Sequence, residues 1–161
     1  MRRAQLAALG LCALAWAACG RASPPPEPRF PWELVRGMLD AAPEEAQGRL
    51  LERFPDSRRE EGSFSRYQVL GSEVLDEVTL FRDIRSGRVN AVIVKYKADL
   101  SPQDRGAALE ELGVPTLARR LEGEEVVEAP LGPLQVRARG ADRFGRLTIT
   151  VEAAPEPAAA P

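Results

Sequence analysis

Histidine is absent from the 161 residues, and the two cysteines, Cys12 and Cys19, both lie close to the N-terminus. Without an imidazole, Ser-His-Asp triads, His-paired thiols and His-ligated metal sites are excluded. After Cys19 no thiol remains for a Cys-ligated zinc or for a disulfide within the body of the chain. No glycine-rich phosphate loop is present, and "GSFSRYQVLGS" lacks the Gly-x-Ser-x-Gly spacing of a nucleophilic serine. Only adjacent acidic pairs are left for acid-base chemistry: Glu44-Glu45, Glu60-Glu61, Glu110-Glu111 and Glu124-Glu125. Sequence neighbours diverge in direction, so these read as solvated surface. The expectation is a protein that is not an enzyme and has no catalytic residue, metal or cofactor.

Charge of one sign is also lacking. The chain carries 22 basic and 24 acidic groups, a net charge of −2, too mild and mixed to indicate a nucleic-acid partner. Long apolar runs are lacking as well. The one candidate, Leu6 to Ala18, follows Arg2 and Arg3 and has 13 residues. That suits the apolar region of a signal peptide and falls short of the roughly 20 residues needed to cross a bilayer. Residues 1–18 are therefore expected to be a signal peptide and the rest of the chain to be exported.

Two cleavage sites are legible. Ala17-Ala18-Cys19-Gly20 resembles the lipobox of bacterial lipoproteins, in which the Cys after small residues becomes an acylated N-terminus. That resemblance implies a palmitate-bearing Cys19 and a membrane partner held through the lipid. Gly20, where an Asp would signal inner-membrane retention, favours the outer membrane. Trp16 stands where a lipobox usually has Leu. Ala15-Trp16-Ala17 fits an ordinary signal peptidase, whose product would be a soluble secreted or periplasmic protein starting at Ala18. After Cys19, "GRASPPPEPR" has four prolines and no apolar period, so 19–29 reads as the lipidated Cys and an extended tether. The folded domain is expected over 30–153 and a structureless tail over 154–161.

Within the domain, Pro31 and Pro43 suit first helical positions. Trp32, Val35, Met38 and Leu39, then Ala46, Leu50, Leu51 and Phe54, recur at helical spacing. The period then changes. "SRYQVLG", "EVLDEVTLFRDI" and "GRVNAVIVKYKA" are strand-like, with a turn at Ser86-Gly87. Ser101 and Pro102 open another helix that Gly113 stops, and "EVVEAP", "LQVRARG" and "GRLTITVE" follow as strands. The fold class is therefore α+β, with helices packed on one face of an antiparallel sheet. Its two tandem helix-plus-three-strand units span 33–98 and 99–152. Pro43 and Leu50 overlay Pro102 and Leu109 at an offset of 59. Val69, Val78, Gly87, Arg88, Val89 and Ile93 overlay Val127, Val136, Gly145, Arg146, Leu147 and Val151 at an offset of 58.

Gly37-Met38 near the first helix, Leu112-Gly113-Val114-Pro115 at the end of the third, and a meander after each helical segment form a recognisable outline. It resembles the tandem repeats of the beta-lactamase-inhibitor-protein-like domain and the small unit of SmpA/OmlA-type outer-membrane lipoproteins. In the first half, Leu51-Glu52-Arg53-Phe54-Pro55 replaces the Leu-Gly-x-Pro ending. The resemblance implies a binding or assembly module with an envelope protein as partner.

The strands suggest where a partner would dock. Leu134, Val136 and Ala138 alternate with Gln135, Arg137 and Arg139, and Leu147, Ile149 and Val151 with Thr148, Thr150 and Glu152, so one face is buried and the other polar. "VNAVIVKY" is apolar on both sides: either it is central and covered, or its second row is exposed. As an open docking face, the sheet would offer Tyr96, Val94 and Phe81 or Tyr67 as anchors, with Arg137 and Arg139 as a charged rim.

Overall fold

A computed structural model describes residues 27–60, 65–114, 126–140 and 146–154. The expected signal peptide, Cys19, most of the tether and nearly all of the C-terminal tail lie outside the described residues. The elements run α1 (Trp32–Met38), α2 (Pro43–Arg53), β1 (Arg58–Glu60), β2 (Ser65–Gln68), β3 (Leu75–Arg82), β4 (Val89–Tyr96), α3 (Pro102–Glu111), β5 (Val126–Leu131), β6 (Leu134–Arg139) and β7 (Thr148–Ala153). The fold is α+β, with three helices and a seven-stranded antiparallel open sheet among the described residues.

Local chemistry explains most boundaries. Pro43 occupies the first turn of α2, with Glu44 and Glu45 beside its N-terminal dipole. Ser101 caps α3 by accepting the Asp104 N–H. Gly113, at φ +86°, supplies the left-handed turn after α3, and Gly87, at φ +71°, does so in the β3–β4 turn. That turn is also held by the Asp83 carboxylate, which accepts the N–H groups of Arg85 at 2.9 Å and Ser86 at 2.7 Å.

The sheet order is β1-β2-β3-β4-β7-β6-β5. The meander β2-β3-β4 and the meander β5-β6-β7 thus meet through their last strands, and β1 adds an outer strand beside β2. The β4·β7 pairing sets Val92 opposite Val151 and Val94 opposite Ile149. These four side chains are fully buried.

Period-two alternation sorts every strand onto two faces. Tyr67, Val78, Leu80, Val92, Val94, Tyr96, Ile149, Val151, Val136 and Val127 point into one core. It also contains Val35 and Met38 of α1, Ala46 and Leu50 of α2, and Ala108 and Leu109 of α3. The other face is open. One row across it reads Glu60, Arg66, Thr79, Ile93, Thr150, Arg137 and Glu128, in strand order. The double apolar row of "VNAVIVKY" is thereby resolved: β4 is central, with Val92, Val94 and Tyr96 buried under the helices and Ile93 half-exposed on the open side.

One irregularity matters for comparing the halves. Phe81 pairs with Ala91 and Arg82 with Val89, so Asn90 is an extra residue in β4. At an offset of 58, Val78 and Val136 share the core face, as do Val89 and Leu147. Beyond the extra residue that offset fails, because Ile93 faces the open side while Val151 is buried. An offset of 57 from there onward restores agreement, placing Val92 on Ile149 and Val94 on Val151.

The N-terminal segment is bonded to the body from Glu27, ahead of the expected boundary at residue 30. Glu27 accepts the Ser72 hydroxyl and the Glu73 N–H, each at 2.8 Å. Arg29 pairs with Asp104 at 3.0 Å, and the Phe30 N–H donates to Glu111 at 2.7 Å. The Phe30 ring is buried. This segment enters at the end of the sheet where β3 begins and β4 ends.

Candidate functional site

At the opposite end of β3, a groove of about 570 Å3 opens between the start of α2 and the strand ends. Its helix wall is Pro43, Glu44 and Gln47, and its strand side is Arg59, Ser65, Tyr67 and Leu80 to Arg82. Ile84 of the β3–β4 turn stands at its rim. Ile84 is 95% exposed, the large hydrophobic side chain of the described residues that the fold leaves in water. The groove exists because β2 and β3 pair in register, Ser65 with Leu80 and Tyr67 with Val78, while α2 crosses above them.

Tyr67 forms the floor. Its ring is packed in the core, and its hydroxyl bonds Ser65. Burial raises its pKa above the ordinary phenol value; the Arg59 guanidinium and the Ser65 bond act in the opposite direction, and Glu44 reinforces the rise. The groove therefore sets a neutral phenol, two guanidinium groups and one carboxylate around an apolar base.

The open sheet face has another character. The Glu77 carboxylate gathers Lys95 Nζ at 2.7 Å, Thr79 Oγ1 at 3.0 Å and Arg66 Nε at 3.4 Å, and Arg66 reaches on to Glu60. Across the sheet, Arg137 donates to Glu128 at 2.6 Å. Charge on this face is thus largely consumed in pairs between neighbouring strands. A second, shallow hollow of about 470 Å3 is lined by Asp76, Lys97, Asp99 and Arg146, of which Arg146 and Asp76 form an ion pair of 2.8 Å.

The five side chains expected to share one docking surface are divided between the two faces. Arg137 and Arg139 are exposed on the open side, where Phe81 is half-buried. Tyr67 and Tyr96, with Val94, lie on the helix-covered side, 2%, 0% and 0% exposed. Tyr96 therefore cannot meet a partner while the helix layer is in place. The physical reason is the parity of β4: Val92 fixes the core face, and Tyr96 lies four residues along it. Tyr96 carries a buried hydroxyl with no hydrogen-bond partner among the described residues. Burial, with the Glu111 and Glu27 carboxylates adding to it, raises its pKa well above the ordinary value. Tyr67 and Phe81 both border the groove, Tyr67 from the helix-covered face and Phe81 from a strand position of the opposite parity.

Sequence reasoning missed Arg59, Arg82, Ser65, Gln47 and Ile84. Only the last had a signal, an isolated large hydrophobe in a polar turn. In the acidic pairs of α2 and α3, Glu45 bonds Arg49 at 2.8 Å and Glu111 accepts the Phe30 N–H. Among the described residues, no cluster of His, Cys, Asp or Glu could hold a metal ion, and no helix is long and apolar enough to cross a membrane. No protein-family model, curated protein or solved structure matches the chain.

Proposed function

We propose that this protein is a membrane-anchored envelope lipoprotein that acts as a non-catalytic protein-binding or assembly module. The observation that carries this reading is the placement of the tether and the groove at opposite ends of the sheet. Glu27 docks on Ser72 and Glu73, just before β3 starts, whereas Phe81, Arg82 and Ile84 border the groove where β3 finishes. The eight residues of β3 separate them by about 24 Å. A chain acylated at Cys19 and gripped at Glu27 would have a spacer of about 25 Å at polyproline-like rise. It would hold the groove on the side away from the bilayer. Acyl chains on Cys19 would suffice as the anchor, because each buried CH₂ contributes about 0.8 kcal/mol.

The same reading includes descent of the domain from two tandem helix-plus-meander units like those of the beta-lactamase-inhibitor-protein-like and SmpA/OmlA-type families. The order β2-β3-β4 facing β7-β6-β5 supports it. So does the change of offset from 58 to 57 at the extra residue Asn90.

Cys19→Ala tests the anchor. Loss of acyl incorporation and a move from the outer membrane to the soluble fraction are expected; unchanged membrane partitioning would overturn it. The second reading, a soluble secreted or periplasmic inhibitor or ligand-binding protein, rests on Trp16 in the lipobox position and requires an N-terminus at Ala18.

A further inference from the structure

The groove combines an apolar floor with cations that the fold itself does not neutralise. Arg59 and Arg82 make no ion pair among the described residues, as is also true of Arg36, Arg53, Arg58, Arg85 and Arg139, but of these only Arg59 and Arg82 line the groove. Both are exposed at the groove, to either side of the Tyr67 and Leu80 floor, with Ile84 standing free at the rim. We propose that this groove binds an extended acidic segment of a partner polypeptide, with an apolar side chain against Tyr67, Leu80 and Ile84 and carboxylates on Arg59 and Arg82. This rests on the reading of the protein as a binding module and adds the chemistry of what it binds.

Charge and donor inventory select the occupant. Among the described residues, two guanidinium groups without an ion pair against one carboxylate, Glu44, give the groove lining a net positive charge, which attracts carboxylates and repels a basic segment. The Gln47 amide offers a donor and an acceptor that an acyl chain would bury unsatisfied, whereas a peptide backbone meets them with C=O and N–H groups. Glu44 sets polarity, since it accepts a backbone N–H at the α2 end while the acidic side chains lie toward Arg59 and Arg82. An extended strand suits the shape, because its alternate side chains point down into the groove and out to solvent.

The test uses the full chain and three probes: a blocked hexapeptide alternating Leu and Glu, its Leu/Lys counterpart, and sodium oleate. Binding is followed by NMR shift changes and by titration at low and high salt. The Leu/Glu peptide is expected to bind at least about tenfold more tightly than the Leu/Lys peptide and to weaken with salt. Shifts should centre on Tyr67, Arg82 and Ile84. An R59A/R82A variant with an unchanged circular dichroism spectrum should lose that preference, and Ile84→Asp should lose affinity for the Leu/Glu peptide. Equal affinity for both peptides, preference for oleate, shifts centred on Arg137 and Arg139, or no peptide binding would overturn the proposal. None of these outcomes alters the acylation and fractionation result for Cys19, so the two readings fail separately.

Discussion

Ser72 donates its hydroxyl to the Glu27 carboxylate at 2.8 Å across 45 positions of sequence, and the same oxygen accepts the N–H groups of Leu75 at 2.8 Å and Val74 at 3.2 Å. One side chain 5% exposed therefore joins the N-terminal segment to the start of β3. Ser72→Ala leaves two buried N–H groups without that acceptor and should lower stability by about 2 kcal/mol in urea unfolding. Glu27→Ala leaves those two bonds in place and should cost less, about 1 kcal/mol. Its larger effect should appear in hydrogen exchange, with faster exchange of the Phe30 and Glu73 amides than of any in β4.

The two tyrosines, Tyr67 and Tyr96, are the whole tyrosine content of the chain, so a phenolate absorbance titration reads the core directly. Both have folded-state pKa values above the ordinary value of 10.0, by burial first. In the unfolded chain they ionise near pH 10. Above that pH the unfolded state binds fewer protons than the folded one, so stability is full below about pH 9 and falls as pH rises through 10 and beyond. Tyr96 is expected to ionise only as the protein unfolds.

Removal of the Tyr96 hydroxyl separates burial from bonding. Because that oxygen is buried with no partner among the described residues, Tyr96→Phe should leave stability unchanged or raise it, by up to about 1 kcal/mol. Tyr67→Phe loses the Ser65 bond and should lower it by a similar amount. Thermal unfolding at pH 7 compares the pair.

Ile93 and Ile149 lie in adjacent strands on opposite faces of the sheet. Ile149→Ala empties a fully buried site and should cost about 2–5 kcal/mol, whereas Ile93→Ala on the half-exposed face should cost under about 1.5 kcal/mol. Equal losses in denaturant unfolding would contradict the face assignment of β4.

Glu77 is the hub of the open face, 12% exposed and shared by Lys95 and Arg66. Glu77→Gln keeps the shape but removes the charge, stranding the Lys95 ammonium, which is 24% exposed. A loss of about 1–2 kcal/mol is expected, shrinking as salt rises, and a Lys95→Met partner change should recover part of it.

Much of this architecture was legible because its signals are local. Pro43, Ser101 and Gly113 mark helix ends through backbone constraints that act whatever the tertiary context. The alternation of Leu134 to Arg139 and of Thr148 to Glu152 requires one buried face. What could not be read depended on pairing at long range. "RRE" at 58–60 has no apolar residue and is a strand only because β2 offers it an edge. The face of Tyr96 depended on which apolar row of β4 the helices would cover, and both rows were candidates. The groove joins residues of α2, β1, β2 and the β3–β4 turn, and no sequence period links them. The extra residue Asn90 left no mark in the sequence, yet it inverts the comparison of the two halves beyond it.

The two outermost strands have a further consequence. On one side the sheet stops at the three exposed residues Arg58, Arg59 and Glu60; on the other, at a strand carrying exposed Glu128 and Pro130. Charge and a missing N–H make poor templates for an additional strand from a neighbouring molecule. Both described edges of the sheet therefore disfavour its growth from one copy of the protein into the next.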